Sequence, residues 1–162
     1  MPSEETVMTD EIAISHLQRR KIEGRVFIPF IDACREKFGE GPTRELVAAA
    51  ICSLATADGA RWADMFGADI DGLRRVAELW AGGGGMEVEV IDQAVDHLDF
   101  NVTRCRYAEF YKELGLADLG SQIHCSRDHA MVEGFNDGLE LTRSQTIMAG
   151  ASCCDFRFRR KA

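Results

Sequence analysis

Ala81-Gly82-Gly83-Gly84-Gly85-Met86-Glu87-Val88-Glu89-Val90 is where the chain changes its period, and that change decides the fold class. Upstream, apolar residues recur every three or four positions, the spacing that places them on one face of a helix. Downstream they alternate with polar residues, as in a strand with one face against a core. Four consecutive glycines read as a hinge at 82–85 between a helical half, 1–81, and an α+β half, 86–162. A phosphate-cradling loop does not fit, because no strand precedes the glycines and no Lys-Ser/Thr follows them.

Working back from the hinge, Leu73, Val76, Ala77 and Trp80 share one side of a helix that Asp69 or Asp71 would cap. Before it, Pro42 suits the first turn of a helix running through Leu46, Val47, Ala50, Ile51 and Leu54 to Gly59, with a shorter helix over 60–66. The first helix is expected from a cap at Thr9 or Asp10 to Phe38, where Gly39 ends it. Its apolar stripe is Ile22, Val26, Phe27, Phe30, Ile31, Cys34 and Phe38. Pro29 lacks a backbone donor, so a kink or break is expected there. Cys34 on the stripe reads as a small core hydrophobe, and Cys52 likewise.

Working forward, Leu98, Phe100 and Val102 alternate with His97, Asp99, Asn101, Thr103 and Cys105 in a second strand. A helix over 106–114 stopped by Gly115 should follow, then one from Ser121 or Ser126 to Phe135. Strands over 139–148 and 152–160, joined near Ala149-Gly150, would close the chain. The expected architecture is α+β in a single domain: a helical half, then a mostly antiparallel four-stranded sheet with two helices inserted between strands 2 and 3.

Composition narrows the partners. At 162 residues, 46% of them hydrophobic, the chain can bury a core without staples. A formal net charge of -8 argues against nucleic acid, whose phosphates demand Lys and Arg. No apolar run approaches the roughly 18 residues of a membrane helix, and the acidic start Met1-Pro2-Ser3-Glu4-Glu5 is unlike a secretory signal. The expectation is a cytoplasmic protein away from membranes, with its six cysteines reduced. Apolar N-terminal helices permit a homodimer, although no motif specifies one.

Chemistry gathers in the C-terminal half, where Cys105, Cys125, Cys153 and Cys154 lie with several carboxylates. Cys105 falls at the end of a polar strand face, just before a helix whose unpaired N–H groups and dipole would lower its pKa. The alternative is a buried structural thiol. If the next helix runs through Cys125, then Cys125, Asp128 and His129 share a face at i, i+3 and i+4. Three readings follow: a nucleophile with its base, a metal-ligand set, or a capping Asp128 with a hydrogen-bonded His129. The spacing falls short of a zinc signature, so neither a metal nor any cofactor is expected. Cys154 shares an apolar face with Phe156 and Phe158, while Cys153 and Asp155 point the other way. Arg143 lies in phase with Leu139 and Leu141, and a buried guanidinium needs an anion, either a protein carboxylate or a substrate's.

These blocks carry a resemblance. Asn-Val-Thr-Arg-Cys-x-Tyr-Ala-Glu-x-Tyr-x-x-Leu-Gly over 101–115, Cys-x-x-Asp over 125–128, Leu-Thr-Arg-x-x-Thr over 141–146, Gly150 and Cys-Asp-Phe-x-Phe over 154–158 look like the L-2-amino-thiazoline-4-carboxylic acid hydrolase family. The resemblance is close over about the last sixty residues and looser before them. It implies hydrolytic ring opening of L-2-amino-thiazoline-4-carboxylate to N-carbamoyl-L-cysteine, with Cys105, Cys125, Asp128, Arg143, Cys154 and Asp155 at motif positions. His129 and Cys153 rest on spacing alone. On that basis Cys105 is expected to attack or assist attack, Asp128 to act as general acid/base, and Cys125 and Cys154 to line the pocket. Arg143, with His129 and Asp155, would bind a small carboxylate substrate. Two other classes stay open: a non-catalytic small-ligand-binding module, and a thiol- or metal-responsive protein.

Overall fold

The computed structural model describes residues 14–161 of the chain. α1 (His16–Phe38) starts at Ser15, whose side chain accepts from the Gln18 N–H while the Gln18 side chain accepts from the Ser15 N–H, a reciprocal capping box. The expected caps Thr9 and Asp10 lie outside the described residues. Pro29 sits inside one continuous helix, so the anticipated break is absent.

The apolar stripe is the larger correction. Ile31 and Cys34 are buried as expected, but Ile22, Val26 and Phe30 are 53%, 68% and 61% exposed, and Leu17, Arg20 and Gly24 are buried in their place. Both rows obey helical spacing, so periodicity alone does not choose between them. Arg20 is drawn inward by a buried ion pair with Asp58 on the next helix.

α2 (Glu40–Phe66) is one helix, where two were expected, and it ends before Gly67. Gly59 serves close packing and does not terminate anything. A Cβ there would lie 2.1 Å from the Met131 carbonyl oxygen, and one on Gly134 would lie 2.0 Å from that of Thr56. Two facing glycines therefore let α2 and the later helix that carries Met131 and Gly134 approach backbone to backbone. Cys52 is exposed on α2, against expectation. α3 (Ile70–Ala81) is capped by Asp69, which accepts from the Gly72 N–H at 2.9 Å. Gly82–Gly84 form a single 3-10 turn, with Gly83 and Gly84 at φ 64° and 73°.

The sheet is fully antiparallel in the order β1-β2-β4-β3. β1 (Met86–Gln93) is an edge strand whose residues after Met86 are all exposed, so the core face expected for Val88 and Val90 is absent. β2 (His97–Cys105) and β4 (Cys154–Arg160) are central. Their register sets Phe100 opposite Phe156, stacked at 5.0 Å, and Val102 opposite Cys154. Between β2 and β3 come α4 (Arg106–Glu113), α5 (Ala117–Gly120), a π-helical turn Ser121–Cys125 and α6 (Arg127–Phe135).

β3 is only Leu139–Thr142, shorter than the sequence pattern suggested. Residues 143–153 form a loop rather than a tight hairpin, tied down by Asp155, which accepts from the N–H groups of Ser144 and Gln145 at 3.0 and 2.9 Å. One apolar core runs from Leu17 through Trp62 and Trp80 to Phe158, joining both halves of the chain. No described helix is long and apolar enough to cross a membrane.

Candidate functional site

Cys105 sits where β2 turns into α4, and the turn carries its thiol out of the strand's polar phase into the core. Its Sγ accepts from the Ala108 N–H at 3.4 Å, the helix-start contact expected from the sequence. The pKa moves the opposite way, up to about 11, because burial outweighs that contact. A long N–H···S bond at the start of a short helix is weaker than the loss of water around a thiolate.

The π turn places the next group. The Ser126 N–H reaches back to the Ser121 carbonyl at 2.9 Å, one residue further than an α turn allows, and the widened backbone carries His124 and Cys125 inward. Of Cys125, Asp128 and His129, expected on one face, the first two come together and the third does not. His129 is exposed, outside the group. His124 stacks on Tyr107 at 4.5 Å.

Asp128 is the centre. Its carboxylate pairs with the Arg143 guanidinium, which also donates to the Cys125 carbonyl at 2.8 Å and lies 5.0 Å above the Phe156 ring. Arg143 thus takes the protein-carboxylate partner of the two alternatives weighed for it. Burial pushes the Asp128 carboxyl up, with Arg143 pulling against that shift. Yet 15% of the side chain stays accessible, and it lines a small cavity of about 20 Å³ together with His16, Arg20, Trp62, His124 and Arg127.

Three thiols lie near enough to this carboxylate to feel its charge. Cys125 and Cys154 are pushed up by burial as Cys105 is, and the negative charge of Asp128 adds to the rise at all three. The Cys154 Sγ accepts from the Ile147 N–H at 3.2 Å. The structure therefore brings Cys105, Cys125, Asp128, Arg143 and Cys154 together. Asp155 anchors the 143–153 loop and stands apart with Cys153, which receives a hydrogen bond from Gln145 at 3.0 Å. Among the described residues no His, Cys, Asp and Glu side chains gather as a metal site.

Sequence reasoning missed the helical wall of the site. Asp58 is buried on α2 and receives Arg127 at 2.7 Å, Arg20 at 3.3 Å and Arg61 at 2.7 Å. His16 Nδ1 lies 3.0 Å from the Tyr107 hydroxyl, which donates to the Trp80 carbonyl at 2.9 Å. His16, Arg20 and Asp58 come from helices that looked purely structural. The available signal was charge at buried helical spacing, with Arg20 following Leu17 by three.

The fold and this arrangement define an α+β domain with a buried carboxylate, its arginine and three thiols packed behind a small cavity that Asp128 lines; Cys125 and Cys154, expected to line the pocket, do not reach it, nor does Cys105. The family model for L-2-amino-thiazoline-4-carboxylic acid hydrolase matches residues 19–158, and the chain belongs to that family. No curated protein matches the chain. Among solved structures, the phenol-responsive sensory domain of the transcription activator PoxR with phenol is similar in fold. It has a TM-score of 0.53 at 9% identity over 92% of this chain and 76% of that one. A trafficking protein particle complex subunit 3 from Naegleria fowleri, covalently bound to palmitic acid, has a TM-score of 0.49 at 14% identity over 90% of this chain and 96% of that one.

Proposed function

We propose that this protein hydrolyses a small carboxylate-bearing sulfur/nitrogen heterocycle, L-2-amino-thiazoline-4-carboxylate or a close relative, with Asp128 as general acid/base. The observation that carries the reading is Asp128 itself. It lies inside the fold, faces a cavity, is held by Arg143 and is pushed by burial toward the range where proton transfer near neutral pH is efficient. Family membership supplies the substrate class.

In this mechanism Asp128 takes a proton from water as the water oxygen bonds to the amidine carbon C2. The C2–S bond then breaks, Asp128 returns its proton to the leaving sulfur, and the second water proton passes to the ring nitrogen. N-carbamoyl-L-cysteine results. Arg143 is a positioning residue that orients the carboxyl. Cys105, Cys125 and Cys154, protonated at rest, pack behind the carboxylate as a soft, weakly polar layer that keeps its surroundings poorly hydrated.

The test is turnover of L-2-amino-thiazoline-4-carboxylate, followed by mass spectrometry of the ring-opened product. Asp128→Asn is expected to lower kcat by about a hundredfold or more while keeping the native circular dichroism. Wild-type turnover in that variant would remove the mechanism. The resting protonation of the thiols favours one rival, a ligand-binding module, which predicts saturable binding of the same compound with no product.

A further inference from the structure

His16 and Arg20 stand one turn apart on the inward face of α1, and each holds a buried polar atom without a partner among the described residues: His16 Nε2 and Arg20 Nε. Buried polar groups are nearly always paired, so two orphans on one face call for an account. The surrounding hydrogen bonds decide what each atom offers. The single proton of the Tyr107 hydroxyl goes to the Trp80 carbonyl, which can only accept. His16 Nδ1, 3.0 Å from the same hydroxyl oxygen, must then be the N–H donor. Burial, with Arg20 and Arg127 nearby, holds the His16 pKa down at about 3, so the ring is neutral and Nε2 is a bare acceptor. Arg20 Nε is a donor.

The local charge adds a second constraint. Arg20 spends one nitrogen on Glu23 at 2.6 Å and another on Asp58, which Arg61 and Arg127 share. Three guanidinium groups thus meet two carboxylates, and the side chains of Arg20 and Arg127 are only 10% and 7% exposed. Arg61 and Glu23 are 57% and 45% exposed, so the excess positive charge lies toward the groove that both line, where it favours an anion.

We propose that His16 and Arg20 form a ligand-recognition pair for a small carboxylate carrying an adjacent N–H, the anion on the Arg20 Nε edge and the N–H on His16 Nε2. A simple anion would leave the histidine acceptor unsatisfied, and a cation would be repelled. The placement fits. His16, Arg20 and Trp62 are the wall shared by the inner cavity beside Asp128 and an outer groove of about 360 Å³ that reaches Ile14, Leu54 and Met65. That groove falls within the range of about 300–1,000 Å³ usual for small-ligand sites, whereas the inner cavity has room for about one water. The inference deepens the proposed hydrolase reading by saying how its substrate is gripped, and rests on that reading only for the reaction.

Three non-hydrolysable probes separate the elements by calorimetric titration: 2-aminothiazole-4-carboxylate, its 4-carboxamide, and thiazole-4-carboxylate. The first is expected to bind at least about tenfold more tightly than either of the others. Arg20→Gln should abolish the preference for carboxylate over carboxamide, with Arg20→Lys restoring part of it, and His16→Phe should abolish the preference for the amino group. Thermal melts identify any variant that fails to fold, and the probe ranking in wild-type protein stands whether or not one does. Equal binding of all three probes, no binding of any, or an unchanged ranking in both Arg20→Gln and His16→Phe would overturn the proposal and leave the orphans to ordinary water. Turnover with an unaltered KM in Arg20→Gln sinks the pair and spares the hydrolase. Ranked binding with no turnover in the wild type does the reverse.

Discussion

Replacing Arg143 by Met tests the centre of the site most directly. The Met side chain keeps an apolar stem over Phe156, but the guanidinium that pairs with Asp128 and donates to the Cys125 carbonyl is gone. The two side chains are 7% and 15% exposed, so the abandoned carboxylate cannot recover its hydration without opening the core. Breaking a buried ion pair on one side costs about 3–5 kcal/mol, and the orphaned carbonyl adds about 1. Against a typical total of about 5–15 kcal/mol this is severe, and at about 2–4 °C per kcal/mol the midpoint should fall by about 8–24 °C. Asp128→Leu should cost a comparable amount by stranding the guanidinium. Removing both charges in Arg143→Met/Asp128→Leu should cost far less than the sum, leaving a coupling of at least about 2 kcal/mol. Urea titrations of the four proteins at pH 7.5 measure the cycle. Single-variant losses below about 1 kcal/mol, or strict additivity in the double variant, would refute the buried pair. The double variant should fold and be inactive.

Other expectations concern protons. If Asp128 carries the reaction, kcat/KM should fall on the acid side at a pH above the usual carboxylate range and stay level through pH 9. A rate that climbs steadily toward pH 11 would instead assign attack to Cys105, whose thiol is pushed up to about 11. Stability should weaken in mild acid. His16 is held near 3 against an ordinary 6.5, so its contribution is complete above pH 6.5 and is lost as pH falls from there toward 3. The slope approaches about 1.4 kcal/mol per pH unit. His124, also lowered, steepens it, while the raised Asp128 acts with the opposite sign. A urea midpoint that stays flat between pH 7 and pH 5 would contradict neutral buried histidines. In native protein at pH 8, a thiol reagent should modify Cys52 within minutes and reach Cys105 only on unfolding, since one is exposed and the other buried. Equal rates would place Cys105 at the surface.

Much of the architecture was legible before any coordinates. The change of period after Gly85, the cap at Asp69, the stop at Gly115 and the helices between strands 2 and 3 are local signals, and the chain obeys them. So were the positions of Cys105, Cys125, Asp128, Arg143 and Cys154, because the family pattern marks them. Their environment was not. Helix-start logic lowers the pKa of Cys105, but the packing around it removes water and reverses the sign. Helical spacing puts Cys125, Asp128 and His129 on one face, but the packing of α6 takes Cys125 and Asp128 inward and leaves His129 in solvent. The row Ile22, Val26, Phe30 looked like the core of α1, yet Arg20 faces inward because Asp58 and Arg127 wait there on other helices.

By itself, then, the sequence determined what is periodic or contiguous: element types, caps, glycine stops and which residues belong to the pattern. Tertiary structure alone decided which of two equally periodic faces is buried, which guanidinium meets which carboxylate, and which histidine faces the cavity. Those outcomes depend on desolvation and on partners far away in the chain, and neither is encoded in the spacing of neighbours.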